Sequence, residues 1–228
     1  AGYDVAHFGL NQWNGVGIAS RLPISEVEEG FPNMPRFSKD QEESGSIEAR
    51  AIFATVHGIR LCSVYVPNGR GLDDPHFDYK LRWLRELGDY CRKYQAREEA
   101  RPLALAGDFN VAPLDQDVGD PWFKNPGSTH TSPAEREALF KLLEMTRMED
   151  PVRSREPEGY TFWDYKQGKF EKNEGMRIDF IFTTNDLSLC VSNAYIASER
   201  RSGDRPSDHV PVVVDLDMGD GFDTPMVF

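Results

Sequence analysis

Cysteine is scarce in this chain: Cys62, Cys91 and Cys190 are the only three, far apart and without CxxC spacing. That excludes a disulfide framework and a thiolate zinc site, and leaves the three as small buried side chains in a reducing cytosol. No apolar run approaches the roughly 18 residues of a membrane span, and no basic-then-apolar start resembles a signal peptide. A soluble, cytoplasmic protein with no membrane partner is expected. Positive charge is short as well, with 26 Lys and Arg against 38 Asp and Glu and a formal charge of -12. Proteins that coat nucleic acid non-specifically are normally basic, so that class is set aside. A nuclease is not excluded, because it needs only a local basic rim, and carboxylates gathered around a divalent cation distort the global count. Internal repeats and low-complexity tracts are absent too.

With 228 residues, 39% of them apolar, the chain can bury one sizeable core. A single domain over residues 1–217 with a tail over 218–228 is expected. The opening Ala1-Gly2-Tyr3-Asp4-Val5 has no initiator Met and reads as the edge of a strand. Further strands are predicted at Val16 to Ser20, then at Ala49 to Val56 and Ile59 to Val66, the last two joined as a hairpin through His57-Gly58. From Pro75 to about Glu99 the spacing turns helical, with Phe77, Leu81, Leu84, Leu87, Tyr90 and Cys91 on one face. A strand follows at Leu103 to Gly107, and then a long polar connection from Pro113 to Ser132. Ser132-Pro133-Ala134-Glu135 opens a second helix with an N-cap, Pro at N1 and an acid at N3, turning Leu139, Leu142 and Leu143 inward. Strands return at Thr161 to Tyr165, Ile178 to Thr183, Leu189 to Ala197 and Val210 to Leu216. The acidic segment Lys39 to Ser46 reads as a solvated loop. This element order predicts an α/β fold in which two sheets are covered by helices.

Chemistry concentrates at Ala106-Gly107-Asp108-Phe109-Asn110, after the apolar run Pro102 to Leu105. In a strand, positions i and i+2 share a face, so Asp108 as base or metal ligand and Asn110 as an uncharged hydrogen-bonding partner converge on one point. Gly107 would let a backbone or a phosphate come close. His209 can hold a phosphate only if a carboxylate fixes its tautomer through the other ring nitrogen, and Asp179 is assigned that task. Asp208 reads equally as a Mg²⁺ ligand, whose hard oxygens suit that ion, and as a turn residue after Pro206-Ser207. Tyr65, ending an apolar strand, would stand at the sheet rim and donate to a phosphate or a leaving oxygen. Asn68 and Arg70 offer donors to backbone phosphates, or else ordinary loop chemistry. Phe162 is expected in the core or a pocket wall and Trp163 at the site, where an aromatic can support an unstacked sugar or base. His7, His57, His76 and His130 lack partners at ligand spacing and are read as structural.

Taken in order, WNGVGI, YVPNGR, GDFNVAP, YTFWDY, RIDFI and SDHVPV resemble the exonuclease III family of abasic-site endonucleases, within the endonuclease/exonuclease/phosphatase superfamily. The likeness runs from Trp13 to Val212. The resemblance implies a four-layer α/β sandwich, two mixed β-sheets packed face to face with helices outside. It implies Mg²⁺-dependent hydrolysis, with Mn²⁺ as the substitute, of phosphodiesters 5′ to abasic sites and of 3′ ends in duplex DNA. A monomer is expected, since DNA must reach an open face. Asp108 would activate water or relay a proton, and would share the metal with Asp208. Asn110 would position the water, His209 with Asp179 would bind the phosphate, and Tyr65 would assist the leaving group. Asn68, Arg70, Trp163 and Arg177 would line the DNA and the abasic-sugar pocket.

The family pattern also implies a first strand bearing an Asn and a second ending in Leu-Gln-Glu, whose Glu is the chief metal ligand. Neither motif occurs here. The chain is therefore expected to begin about fifty residues into the family domain, and to be partly folded, metal-poor and inactive as written, with exposed sheet edges and apolar surface. Two other classes compete: a phosphodiesterase or phosphatase acting on a non-DNA phosphoester, mildly favoured by the charge but opposed by TFW and RID, and a non-catalytic relative that binds DNA ends or protein.

Overall fold

The chain runs as β1 (Asp4–Gly9), β2 (Gly15–Ser20), β3 (Ile24–Glu29), β4 (Ala51–Val56), β5 (Ile59–Tyr65), α1 (Pro75–Gln95), β6 (Leu103–Asp108), α2 (Pro133–Thr146), α3 (Pro151–Arg155), β7 (Asp179–Thr183), α4 (Asn185–Ser188), β8 (Val191–Ile196) and β9 (Val212–Leu216), with short 3-10 turns between. The computed structural model describes residues 2–38, 45–125 and 127–219. Ala1, most of the acidic loop expected at Lys39 to Ser46 and most of the tail expected at 218–228 lie outside the described residues.

His57 and Gly58 take φ of 48° and 77°, the two left-handed residues that a tight hairpin turn between twisted strands demands. They fold β4 onto β5, and the pair becomes the middle of a mixed sheet in the order β3-β4-β5-β6-β7. Only β5 and β6 run parallel, joined by the long crossover helix α1. Asp74 caps that helix from its side chain, and Pro75 follows at the first position, where a missing N–H is harmless. The buried stripe of α1 includes Tyr79, Trp83, Leu84, Leu87, Tyr90 and Cys91, which meet Phe53, Leu105, Phe180 and Leu142 in the main core. Each fully buried Leu there stabilises the fold by roughly 1.5–3 kcal/mol. Trp83, wholly buried, extends the stripe beyond the residues that periodicity picked out, while Leu81 stays half-exposed. Helix α2 starts as its sequence dictates: the Ser132 hydroxyl accepts from Glu135 N, and the Glu135 carboxylate accepts from Ser132 N.

The opposite face of the sheet carries two antiparallel pairs, β1-β2 and β8-β9. Ala6 and Phe8 of β1 pack with Ile52 of β4, and Val16 and Ile18 of β2 join them. β8 and β9 form a separate apolar cluster with Val152 of α3 and Val210. Between the two pairs a strip of the central sheet, including Ser63, Ala106 and Ile181, stays half-exposed.

Two local expectations change. The strand predicted at Thr161 to Tyr165 is instead a pair of isolated bridges, Phe162 to Met176 and Phe162 to His209. β3 was not anticipated, because Ile-Ser-Glu-Val-Glu-Glu breaks alternation where Glu26 takes φ 50° and the register slips between Ser25 and Glu28. A charged, bulged strand suits a sheet edge.

Candidate active site

Strand register assembles the site. Tyr65 of β5 pairs with Asp108 of β6, and Asp108 pairs with Asp179 of β7. Residues directly opposite across strands project to the same side, so a phenol and two carboxylates form one row across three strands at one end of the sheet. All three are half-exposed. Gly107 permits this geometry for a reason other than substrate approach: it sits at φ 142°, and a Cβ there would lie 2.0 Å from the Val64 carbonyl oxygen. The close neighbour is the backbone of β5.

Asn110 meets Asp108, but not through strand alternation. β6 ends at Asp108, and Asn110 lies in a left-handed turn at φ 51°. Its backbone N donates to Asp108 Oδ1 at 2.7 Å and its Nδ2 to Asp108 Oδ2 at 3.0 Å. The same Nδ2 also donates to the Val66 carbonyl at 2.9 Å. Burial and the neighbouring Asp179 charge push the Asp108 carboxyl up to about 7, against the pull of His209, the Asn110 amide and Lys80. Asp108 therefore exchanges its proton near neutrality.

His209 arrives on a segment that bridges Phe162: Trp163 N donates to Asp208 O at 2.9 Å and Val210 N to Thr161 O at 2.8 Å. Its Nδ1 lies 2.8 Å from Asp179 Oδ2, the contact expected from sequence. Burial alone would lower the imidazole. The Asp179 hydrogen bond and charge, with Asp108 and Asp208 behind them, instead raise it to about 9. His209 is thus a cation at neutral pH, leaving Nε2 to face outward as a donor. Tyr65 is pushed above the usual phenol range by burial and by Asp108, with Asp208 and Glu48 adding and Arg50 opposing, so its hydroxyl keeps its proton. Asp208 acts on both groups and so belongs to the site's field.

Two residues expected to line DNA are buried elsewhere. Arg177 is 1% exposed, donating to the Glu156 carbonyl at 2.8 Å and ion-paired with Asp150 at 3.4 Å. A guanidinium buried that deeply is out of reach of a phosphate on the surface. Trp163, 3% exposed, packs edge-on against Phe170 and Tyr160 in the core beneath β8. Its neighbour Phe162 takes the forward place, its ring 4.9 Å from that of His209. Phe162 is thus the pocket wall that was one of its two expected places, and Trp163 faces away from it, since neighbours in an extended segment face opposite sides. Asn68 and Arg70 are exposed, and Asn68 Nδ2 donates to Asn110 Oδ1 at 3.3 Å.

Sequence reasoning missed three contributors. The Thr161 hydroxyl accepts from Ile178 N and Asp179 N at 3.0 and 3.1 Å and so fixes the start of β7. Lys80 and His130, the latter read as merely structural, touch the Asn110 carbonyl from beneath. Lys80 stands three residues after Phe77 and four before Leu84, on the apolar stripe of its helix; a lysine at that spacing was the signal that could have found it, since an unpaired lysine is almost never fully buried.

A hard divalent ion wants about six oxygens. Among the described residues no group of three or more His, Cys, Asp and Glu side chains could hold a metal ion, and both Asp108 oxygens already accept from Asn110. Asp108 and Asp208 together do not make a cage.

The model of the Endonuclease/Exonuclease/phosphatase family matches residues 2–209. Exodeoxyribonuclease III of Haemophilus influenzae is 27% identical over 222 residues, covering 92% of this chain and 79% of its own. A 3'-5' exonuclease (NExo) from Neisseria meningitidis superposes with a TM-score of 0.83 at 34% identity, over 95% of this chain and 80% of that one. An AP endonuclease from Archaeoglobus fulgidus gives 0.81 at 33% identity with the same coverage.

Proposed function

The chain belongs to the endonuclease/exonuclease/phosphatase family, and we propose that it is a DNA repair nuclease that hydrolyses phosphodiesters 5′ to abasic sites and removes nucleotides from 3′ ends of duplex DNA. The observation that carries this reading is the row Tyr65, Asp108 and Asp179 closed by the Asp179 to His209 contact at 2.8 Å, an acid-base and cationic set gathered where a phosphate could lie. The relatives, named as exodeoxyribonuclease III, a 3'-5' exonuclease and an AP endonuclease, support DNA as the substrate.

In-line hydrolysis of a phosphodiester needs a deprotonated water, charge stabilisation on the phosphoryl oxygens and a protonated leaving oxygen. Asp108, exchanging near pH 7, takes the proton from the attacking water, and Asn110 fixes the carboxylate's orientation. His209, held cationic by Asp179, donates to a non-bridging oxygen. Tyr65 keeps its proton for the leaving oxygen. Asn68 and Arg70, exposed beside the row, contact flanking phosphates, and Phe162 forms the apolar wall next to His209. A divalent metal serves the family. Magnesium is our assignment for that ion; Asp108 and Asp208 alone do not hold it, and when bound it would supply Lewis-acid charge at a phosphate. The protein acts as a monomer, since a duplex must reach an open face.

The test is cleavage of a labelled duplex carrying one abasic site, with Mg²⁺ and with EDTA, by the wild type and by Asp108→Ala. A nick 5′ to the lesion that disappears in EDTA and in Asp108→Ala is expected. A duplex left intact by folded wild-type protein in Mg²⁺ overturns the reading.

A further inference from the structure

Beneath the two site asparagines lies a charged cluster with no access to solvent. Lys80 and Glu135 both have 0% exposed side chains. An ammonium has three protons, and Lys80 Nζ has three partners: the Asn110 carbonyl at 2.6 Å, the Asn68 carbonyl at 3.2 Å and Glu135 Oε1. Glu135 is equally saturated. Its Oε1 also accepts from Thr129 Oγ1 and His130 N, both at 2.8 Å, and its Oε2 accepts from Ser132 N and Oγ. His130 completes the ring. Its Nδ1 lies 2.7 Å from the Asn110 carbonyl, which can only accept, so Nδ1 carries the proton. Nε2 is then free to accept from Asn68 Nδ2, 3.5 Å away.

A buried ion pair is weak evidence for stability, because removing both charges from water is expensive and an apolar pair of the same volume often does as well. What such a pair supplies is a fixed arrangement. Here two of the three ammonium bonds go to the backbone carbonyls of Asn68 and Asn110. Asn110 holds a left-handed φ of 51°, which asparagine adopts more readily than other non-glycine residues, and the contacts to its carbonyl fix which way that turn points. The loop carrying Asn68 passes close over the lysine stem: a Cβ on Gly69, at φ 90°, would lie 3.2 Å from Lys80 Cδ and 2.7 Å from Thr129 Oγ1.

We propose that Lys80, anchored by Glu135 and joined by His130, is the positioning residue of this site, clamping the Asn68 and Asn110 backbones so that the Asn110 carboxamide orients Asp108. The proposal rests on the nuclease reading above. Lys80 acts on Asp108 through Asn110, and its effect on turnover should therefore exceed the effect on DNA affinity that reaches the phosphates through Asn68.

The experiment compares wild type, Lys80→Met, His130→Gln and His130→Asn for kcat and KM on the abasic duplex, with folding followed by circular dichroism. A misplacement near 1 Å lowers turnover by about 10²-fold. That fall in kcat is expected for folded Lys80→Met and His130→Gln, with KM within about threefold. His130→Asn, whose amide N–H can stand where Nδ1–H stood, should recover most of it. Folded variants with wild-type kcat overturn the proposal. Should Lys80→Met not fold, the contrast between His130→Gln and His130→Asn decides. The side-chain amide NMR signals of Asn68 and Asn110 in the free protein give a readout independent of cleavage: shifted and broadened signals in the variants support the clamp, and unchanged ones refute it. Wild-type protein inert on the duplex overturns the nuclease reading, and the amide signals still decide the clamp.

Discussion

Acidification should erode stability through His130, by an amount the structure allows to be worked out. Burial and the adjacent Lys80 charge hold this imidazole down at about 4, against its ordinary 6.5, although the Asn110 carbonyl and Glu135 pull the other way. Above pH 6.5 neither the folded nor the unfolded chain protonates it, and the full stability is present. Between 6.5 and 4 the unfolded chain takes a proton that the folded one refuses, so stability falls as the pH falls. At 1.36 kcal/mol per pKa unit, a difference of about 2.5 units amounts to roughly 3 kcal/mol, a large share of a typical 5–15 kcal/mol. The wild-type profile alone would hide this. Asp108, raised from 3.8 to about 7, binds its proton in the folded state first and so stabilises the fold over nearly the same window, by about 4 kcal/mol on the same conversion. Urea unfolding of wild type and His130→Asn at half-unit steps from pH 7.5 to 4 separates the two, because Asp108 is common to both proteins. The wild type's advantage over the variant should shrink by roughly 3 kcal/mol across that range. An advantage that stays constant to within about 0.5 kcal/mol would refute the assignment of a neutral, buried His130.

Three further outcomes follow from the same geometry. Asp179→Asn removes the carboxylate that holds His209 at about 9 and leaves burial opposed only by Asp108 and Asp208, so the imidazole should titrate well below its wild-type value, read from its ring-proton NMR shifts. Gly107→Ala would put a Cβ 2.0 Å from the Val64 carbonyl at φ 142°, and the β5-β6 pairing cannot yield without dismantling the row at Tyr65 and Asp108; loss of the cooperative thermal transition is expected. Ser132→Ala removes the α2 cap, in which the Ser132 hydroxyl accepts from Glu135 N at 3.3 Å and donates to Glu135 Oε2 at 2.6 Å. It should cost about 1–2 kcal/mol in chemical denaturation.

Local chemistry made much of the fold legible. The His57-Gly58 turn, the Pro75 and Ser132-Pro133 helix starts and the apolar stripe of α1 follow from rules spanning a few residues, and they are present as read. The Asp179 to His209 pairing was legible because a phosphate-binding histidine needs a carboxylate. What could not be read was which of two adjacent residues faces the site. Phe162 is a pocket wall beside His209, as expected, while Trp163 turns into the core, because the segment holding them is set by two isolated bridges, to Met176 and His209, rather than by a regular strand. Arg177 misleads for a related reason: at the head of β7 it sits beside Asp150 from α3's N-terminus, a partner distant in sequence.

Lys80 marks the deepest limit. It lies three residues after Phe77 and four before Leu84, so helical spacing puts it on the buried stripe, but spacing does not name the partners that hold an ammonium there. Its burial is decided by three acceptors from Asn68, Asn110 and Glu135, which come together only after β6 has docked beside β5 and α2 has packed on α1. The Asp-Asn motif is thus half of a mechanism. Asn110 presents its carboxamide to Asp108 while its own carbonyl is turned down onto Lys80 and His130. The acid-base chemistry lies on the surface of the sheet, and the order that makes it usable lies one layer below.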